Sequence, residues 1–179
     1  MSDDAAPCLD QAHILDTDLQ DYILSNPGDH KFILSMSNQQ LRSHYLDLAQ
    51  SLDLEPESII HPQTTVSPSA RIGKGTYLAP GCRISSMALV GEHSIVNLNV
   101  TFGHHAQGGA HLIANPGASI GGNARIGQRV LIGANSFVYQ GLTIGDDCQI
   151  DAMTYVGQDL KKASLCSSRQ FKVFPRRDF

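Results

Sequence analysis

A mainly-β parallel solenoid is the fold that three observations predict for this chain of 179 residues. The first is a period of six. Stepping by six from Ile60 to Val156, 16 of 17 positions are hydrophobic, where a 41% hydrophobic composition gives about seven. Gly108 is the exception. The second is the residue after each step, which is Gly nine times and Ser67, Ser85, Asn97, Asn115 or Asp151 at five others. Small or turn-forming residues suit a chain that bends sharply and passes close to its neighbour. The third is the fourth residue after each step, mostly small or aliphatic, as at Ala70, Cys82, Ala88, Val100, Ala106 and Leu112. Two inward positions in six, with β-branched residues dominant at the first, predict short parallel strands around a continuous core. No 3.6-residue period competes over this stretch.

The elements follow in chain order. Residues 1–7 are expected to form a disordered leader. His30 to Met36 is predicted as a buried strand. Ser37 is the expected helix cap, with Gln40 completing a capping box. Leu41, Tyr45, Leu48, Ala49 and Leu52 then make an amphipathic stripe, and Glu55-Pro56 ends the helix. Asp16-Thr17-Asp18 is expected to be a solvated acidic loop. The expected divisions are an α/β segment over 1–57, the solenoid over 58–161 and a tail over 162–179. The basic residues of that tail, Arg169, Lys172, Arg176 and Arg177, are expected in solvent.

Composition narrows the function. A net charge of −4 argues against general binding to nucleic acid. No apolar run approaches the roughly 18 residues of a membrane span, so none is expected. The acidic start, Met1-Ser2-Asp3-Asp4, lacks the profile of a signal peptide. Cys8, Cys82, Cys148 and Cys166 form no CxxC pair, which predicts neither a disulfide framework nor a zinc knuckle, and a cytoplasmic protein.

The uninterrupted hexads resemble the hexapeptide-repeat family, whose fold is a left-handed parallel β-helix with three hexads per coil. The order strand, helix, then Ile59-Ile60-His61-Pro62 resembles the sialic acid O-acetyltransferase and bacillosamine N-acetyltransferase branch. That resemblance implies a small Rossmann-like N-terminal segment, here shortened, because no Gly precedes Gly28 where the family has a glycine-rich turn. It implies acetyl-CoA as acyl donor, a sugar amine or hydroxyl as acceptor, no metal, and a homotrimer with sites between subunits.

The stretch from Asn97 to Gly122 aligns without gaps to the family's active-site coil, with His104 in the place of the catalytic base and Pro116-Gly117-Ala118 following. By spacing alone, Gly122 lies one coil from His104 on the same edge. An imidazole beside a glycine amide suits acyl transfer, one as base and the other as oxyanion donor. The resemblance further assigns Asn97 to the substrate, and Gly122, Ala134 and Ala152 to the backbone contacts of coenzyme A. Two places depart from it. His105 stands where an acidic residue would orient the catalytic ring, and is expected not to replace it. Ile113 stands where a second His contacts acyl-CoA. Gly108, at an inward position, is expected to thin the packing beside His104. His61 is expected to pack the junction with the N-terminal segment. His93, His111, Arg129 and Asp147, 18 apart, are expected to form a solvated or intersubunit ladder. A non-catalytic scaffold and a zinc enzyme like the γ-carbonic anhydrases are the rival readings. The latter requires three converging His ligands.

Overall fold

The computed structural model describes residues 18–26 and 28–168. The expected leader, Asp16-Thr17 and the basic tail from Arg169 lie outside the described residues. Eighteen two-residue strands run from Ile59–Ile60 to Leu165–Cys166. They stack into three parallel sheets of seven, six and five strands, the faces of a triangular solenoid of six turns. Each strand pairs with the one 18 residues on, as Thr101 does with Ser119 and Phe102 with Ile120. The last turn is two residues short: Ile150 pairs with Cys166, and Ile144 bridges to Leu160. The solenoid therefore runs to Cys166, past the expected boundary at 161.

The hexad dictates this geometry. Every step residue from Leu78 to Val156 is buried. Ile60, at the open end with no turn beneath it, is 46% exposed. The third residue after each step, from Gly75 through His93, His105 and His111 to Met153, has a left-handed φ of 53–76°. That conformation turns each corner, and Asn, Asp and Gly accept it at least cost. Glycine is required where turns touch backbone to backbone. A Cβ on Gly103 would lie 2.4 Å from the Gly122 nitrogen.

Gly108 does not thin the core. Its neighbours Phe102 and Leu112 are buried and reach into the space, and a Cβ there would sit 2.8 Å from Leu112 Cδ2 and 3.3 Å from Phe102 Cε1. The one aromatic step residue and the one glycine step residue thus complement each other in volume. Gly108→Val is expected to cost about 1–3 kcal/mol by overpacking. Phe102→Leu in the same chain should recover part of that loss, a coupling that urea unfolding of the single and double variants measures.

The N-terminal segment consists of α1 (Leu19–Ser25), β1 (Lys31–Phe32), α2 (Gln39–Ser51) and β2 (Glu55–Pro56). β1 and β2 pair in parallel, Lys31 with Glu55 and Phe32 with Pro56. The expected strand from His30 to Met36 is thus only two residues long, because no second partner continues the ladder. Glu55-Pro56, expected as the helix stop, is instead a strand, and the helix ends four residues earlier. Asn38 rather than Ser37 caps α2, accepting from the amides of Gln40 and Leu41 at 2.9 and 3.1 Å. Leu41 of the expected apolar stripe is 47% exposed, and Arg42 is buried in its stead at 1%.

Arg42 anchors the segment to the solenoid. Its guanidinium donates to the carbonyl of Met36 at 2.7 Å and to that of His93. Phe32 stacks on His93 (6.0 Å, 20°), and His93 stacks on His111 (5.5 Å, 6°). Gln39 Nε2 donates to the His111 carbonyl at 3.1 Å. The histidine ladder is therefore half-buried under the segment, not solvated. Only its far end matches a surface pair, Arg129 with Asp147 at 2.6 Å. His61, partly buried, accepts from the Gln63 amide through Nδ1 at 3.1 Å.

This docking carries a pH dependence. Burial holds the imidazoles of His93 and His111 below the ordinary value of 6.5, and the Arg42 charge pushes the same way. For a base with a depressed folded-state pKa, the unfolded chain takes up the proton first as pH falls. Stability from these rings is full above about 6.5 and is lost progressively below it. Urea midpoints should fall between pH 7.5 and 5.5, and His93→Asn, which tolerates the left-handed corner, should flatten that slope. Equal midpoints at both pH values in the unsubstituted chain would refute this account.

Candidate active site

The solenoid has three corners, and the chain places different chemistry on each. The corner after the seven-stranded face carries Asn97, Asn115, Pro116, Ala134 and Ala152. The corner after the six-stranded face carries His104, Gly122 and Gln140. The corner after the five-stranded face carries the His93–His111 column. Steps of 18 residues explain why each set shares a corner.

His104 and Gly122 come together as their spacing predicts. The His104 carbonyl accepts from the Asn123 amide at 2.9 Å, tying the two turns in register. A Cβ built on Gly122 would lie 2.8 Å from His104 Nε2 and 2.9 Å from Cε1, so only a glycine admits the ring here. Among the described residues, the Gly122 N–H has no acceptor. His104 is exposed, and its Nδ1 lies 3.3 Å from Nδ1 of His105. This exposed imidazole stands against a backbone with an unspent donor, an arrangement able to move a proton and to hold a developing oxyanion.

Asn97 does not join them within one chain. One strand of the six-stranded face, Thr101–Phe102, separates it from His104, so the two stand on different corners. Asn97 Nδ2 donates to Asn115 Oδ1 at 3.4 Å. With Ile33, Leu34, Ser35, Ile59, Tyr77 and Ile95, Asn97 lines a cavity of about 250 Å³ between the N-terminal segment and the seven-stranded face. Ala134 and Ala152 share the Asn97 corner. Ala134 is half-buried, and its carbonyl accepts from the Met153 amide at 2.8 Å, while Ala152 is exposed. Ile113 is 1% exposed, on the outward row of the seven-stranded face that continues from Ile95, so it offers no surface to a ligand.

An aromatic cluster adjoins the site that sequence reasoning missed. Phe137 and Tyr155 stack at 6.0 Å and 12°, and Tyr139 meets both at 6.4 Å. Tyr139 replaces the glycine that occupies the same corner place at Gly103, Gly121 and Gly157. That break in the repeat was the available signal. Among the described residues, no group of three His, Cys, Asp or Glu side chains converges as a metal site. No helix among them is long and apolar enough to cross a membrane.

Known proteins share this solenoid fold. Residues 118–158 match the family model described as the hexapeptide repeat of succinyl-transferase. No curated protein sequence matches the chain. Among solved structures, a histidine-to-asparagine variant of perosamine N-acetyltransferase from Caulobacter crescentus, in complex with CoA and GDP-perosamine, superposes with a TM-score of 0.80. It is 25% identical, and the match covers 90% of this chain and 76% of that one. PerB from Caulobacter crescentus, with the same two ligands, has a TM-score of 0.80 and 27% identity, covering 88% and 75%. The acetyltransferase domain of PglB from Neisseria gonorrhoeae, in complex with acetyl coenzyme A, has a TM-score of 0.73 and 27% identity, covering 77% and 67%.

Proposed function

We infer that this chain, a hexapeptide-repeat protein built like the coenzyme A-dependent sugar acetyltransferases, moves an acetyl group from acetyl-CoA to an amino or hydroxyl group of a sugar. The observation that carries this reading is the pairing of the exposed His104 imidazole with the unspent Gly122 amide. Acetyl-CoA supplies an activated thioester. His104 Nε2 takes the proton from the acceptor as its nitrogen or oxygen attacks the thioester carbon. The Gly122 N–H donates a hydrogen bond to the tetrahedral oxyanion. His104 then returns the proton to the departing sulfur, so the base ends the cycle neutral.

The remaining assignments need a second copy. Asn97, Ala134 and Ala152 stand one corner away from His104, so they meet it only when another solenoid lies alongside. A parallel homotrimer closes that arrangement by rotation and gives three equivalent sites. In it, the Asn97 corner of one subunit holds the acceptor, and Ala134 and Ala152 line the pantetheine arm opposite Gly122. A reducing, cytoplasmic setting fits the free thiols of Cys82, Cys148 and Cys166.

The test is thiol release from acetyl-CoA with a nucleotide-linked amino sugar as acceptor, combined with sedimentation at micromolar concentration. Acceptor-dependent release by a trimer is the expected result. Absence of acetyl-CoA binding would favour the scaffold reading, and a clean monomer would remove the intersubunit site.

A further inference from the structure

We propose that His105 is a positioning residue that holds the His104 imidazole in the tautomer with hydrogen on Nδ1. The proposal rests on the reading of His104 as the base. The two Nδ1 atoms face each other at 3.3 Å, with the rings edge-on at 84°. At that separation one nitrogen must donate and the other accept, since two N–H groups or two lone pairs would repel. A neutral imidazole has one N–H and one lone pair, so the contact couples the tautomers of the two rings. With hydrogen on His104 Nδ1, the lone pair of that ring falls on Nε2, the nitrogen set against Gly122. The opposite assignment leaves His104 Nε2 protonated and unable to take a proton.

The backbone prevents the pair from drifting. His105 sits at a left-handed corner with φ 60°. Its amide donates to the Ser86 carbonyl of the preceding turn at 2.9 Å, and the His104 carbonyl is held by Asn123 of the next at 2.9 Å. The pair is thus tied to the preceding turn through His105 and to the next turn through His104. When Nε2 takes the acceptor proton, His104 becomes a cation whose Nδ1–H donates to the lone pair of His105. Charge-assisted hydrogen bonds of this kind are about twice as strong as neutral ones. A neutral imidazole therefore performs the orienting role for which the sequence suggested it was unfit, and no carboxylate is needed.

The experiment is nitrogen NMR of the imidazoles in histidine-labelled trimer, with steady-state kinetics on the same samples. In the unsubstituted chain the His104 signals should report hydrogen on Nδ1. His105→Ala should relax His104 to a mixture of tautomers and lower kcat about tenfold, with KM for acetyl-CoA unchanged. His105→Asn tolerates the left-handed corner and presents an amide oxygen to Nδ1–H; it should restore the tautomer and most of the rate. Hydrogen on His104 Nε2 in the unsubstituted chain, or a tautomer that ignores His105→Ala, overturns the proposal even if turnover is normal. A protein that holds the Nδ1–H tautomer through His105 but transfers no acetyl group supports the pairing, and the functional reading alone then fails.

Discussion

Replacing His104 by alanine is expected to lower kcat for acetyl transfer by about 10²- to 10⁴-fold, the usual loss on removing a general base. The side chain is exposed at a corner, and every step residue beneath it stays in place, so the unfolding midpoint should not move. Affinity for acetyl-CoA should also persist, because the contacts proposed for it come from the backbone of Gly122, Ala134 and Ala152 and not from the His104 side chain. Equilibrium binding, urea unfolding and turnover on one preparation separate these effects. Turnover near that of the unsubstituted chain would remove His104 from the role of base.

The second large effect is expected from a single added methyl group. Gly122→Ala places a Cβ 2.8 Å from His104 Nε2, inside any contact the ring can accept. The obstructed atom is the far end of a movable side chain, so the ring swings away and the fold survives. Stability should change by no more than about 0.5 kcal/mol, as at an ordinary surface site. Catalysis should fall by about 10²- to 10³-fold, because the base is displaced and the oxyanion donor is shielded at once. A Gly122→Ala protein with turnover within a few-fold of normal would show that the ring and the amide do not act on the same carbonyl. If His104→Ala and Gly122→Ala act on one step, the double variant should lose little more than the worse single variant.

The aromatic cluster of Phe137, Tyr139 and Tyr155 is hidden within the period. Tyr139 keeps the six-residue register as a corner residue, yet it is a bulky ring where Gly103, Gly121 and Gly157 stand. Gly108 is a related case. The hexad shows a vacancy at its own position only, while the compensating volume comes from Phe102, six residues earlier, and Leu112, four residues later.

What the sequence determined by itself is everything that the hexad repeats. Two inward side chains per six residues set the strands, and 18 residues per turn set their pairing partners. The juxtaposition of His104 and Gly122 followed without coordinates, because stacking in a solenoid converts sequence distance directly into spatial contact. Tertiary structure decided what lies outside that rule. The burial of Arg42, the column Phe32–His93–His111 and the shift of the helix cap to Asn38 all depend on how a non-repeating segment folds back onto one corner. No period relates residue 42 to residue 93, so their contact could not be counted from the sequence. The contact of His104 with His105 lay beyond sequence reading for another reason. Adjacent residues can point apart or together, and it is the folded corner, with φ 60° at residue 105, that presents the two ring nitrogens to each other at 3.3 Å.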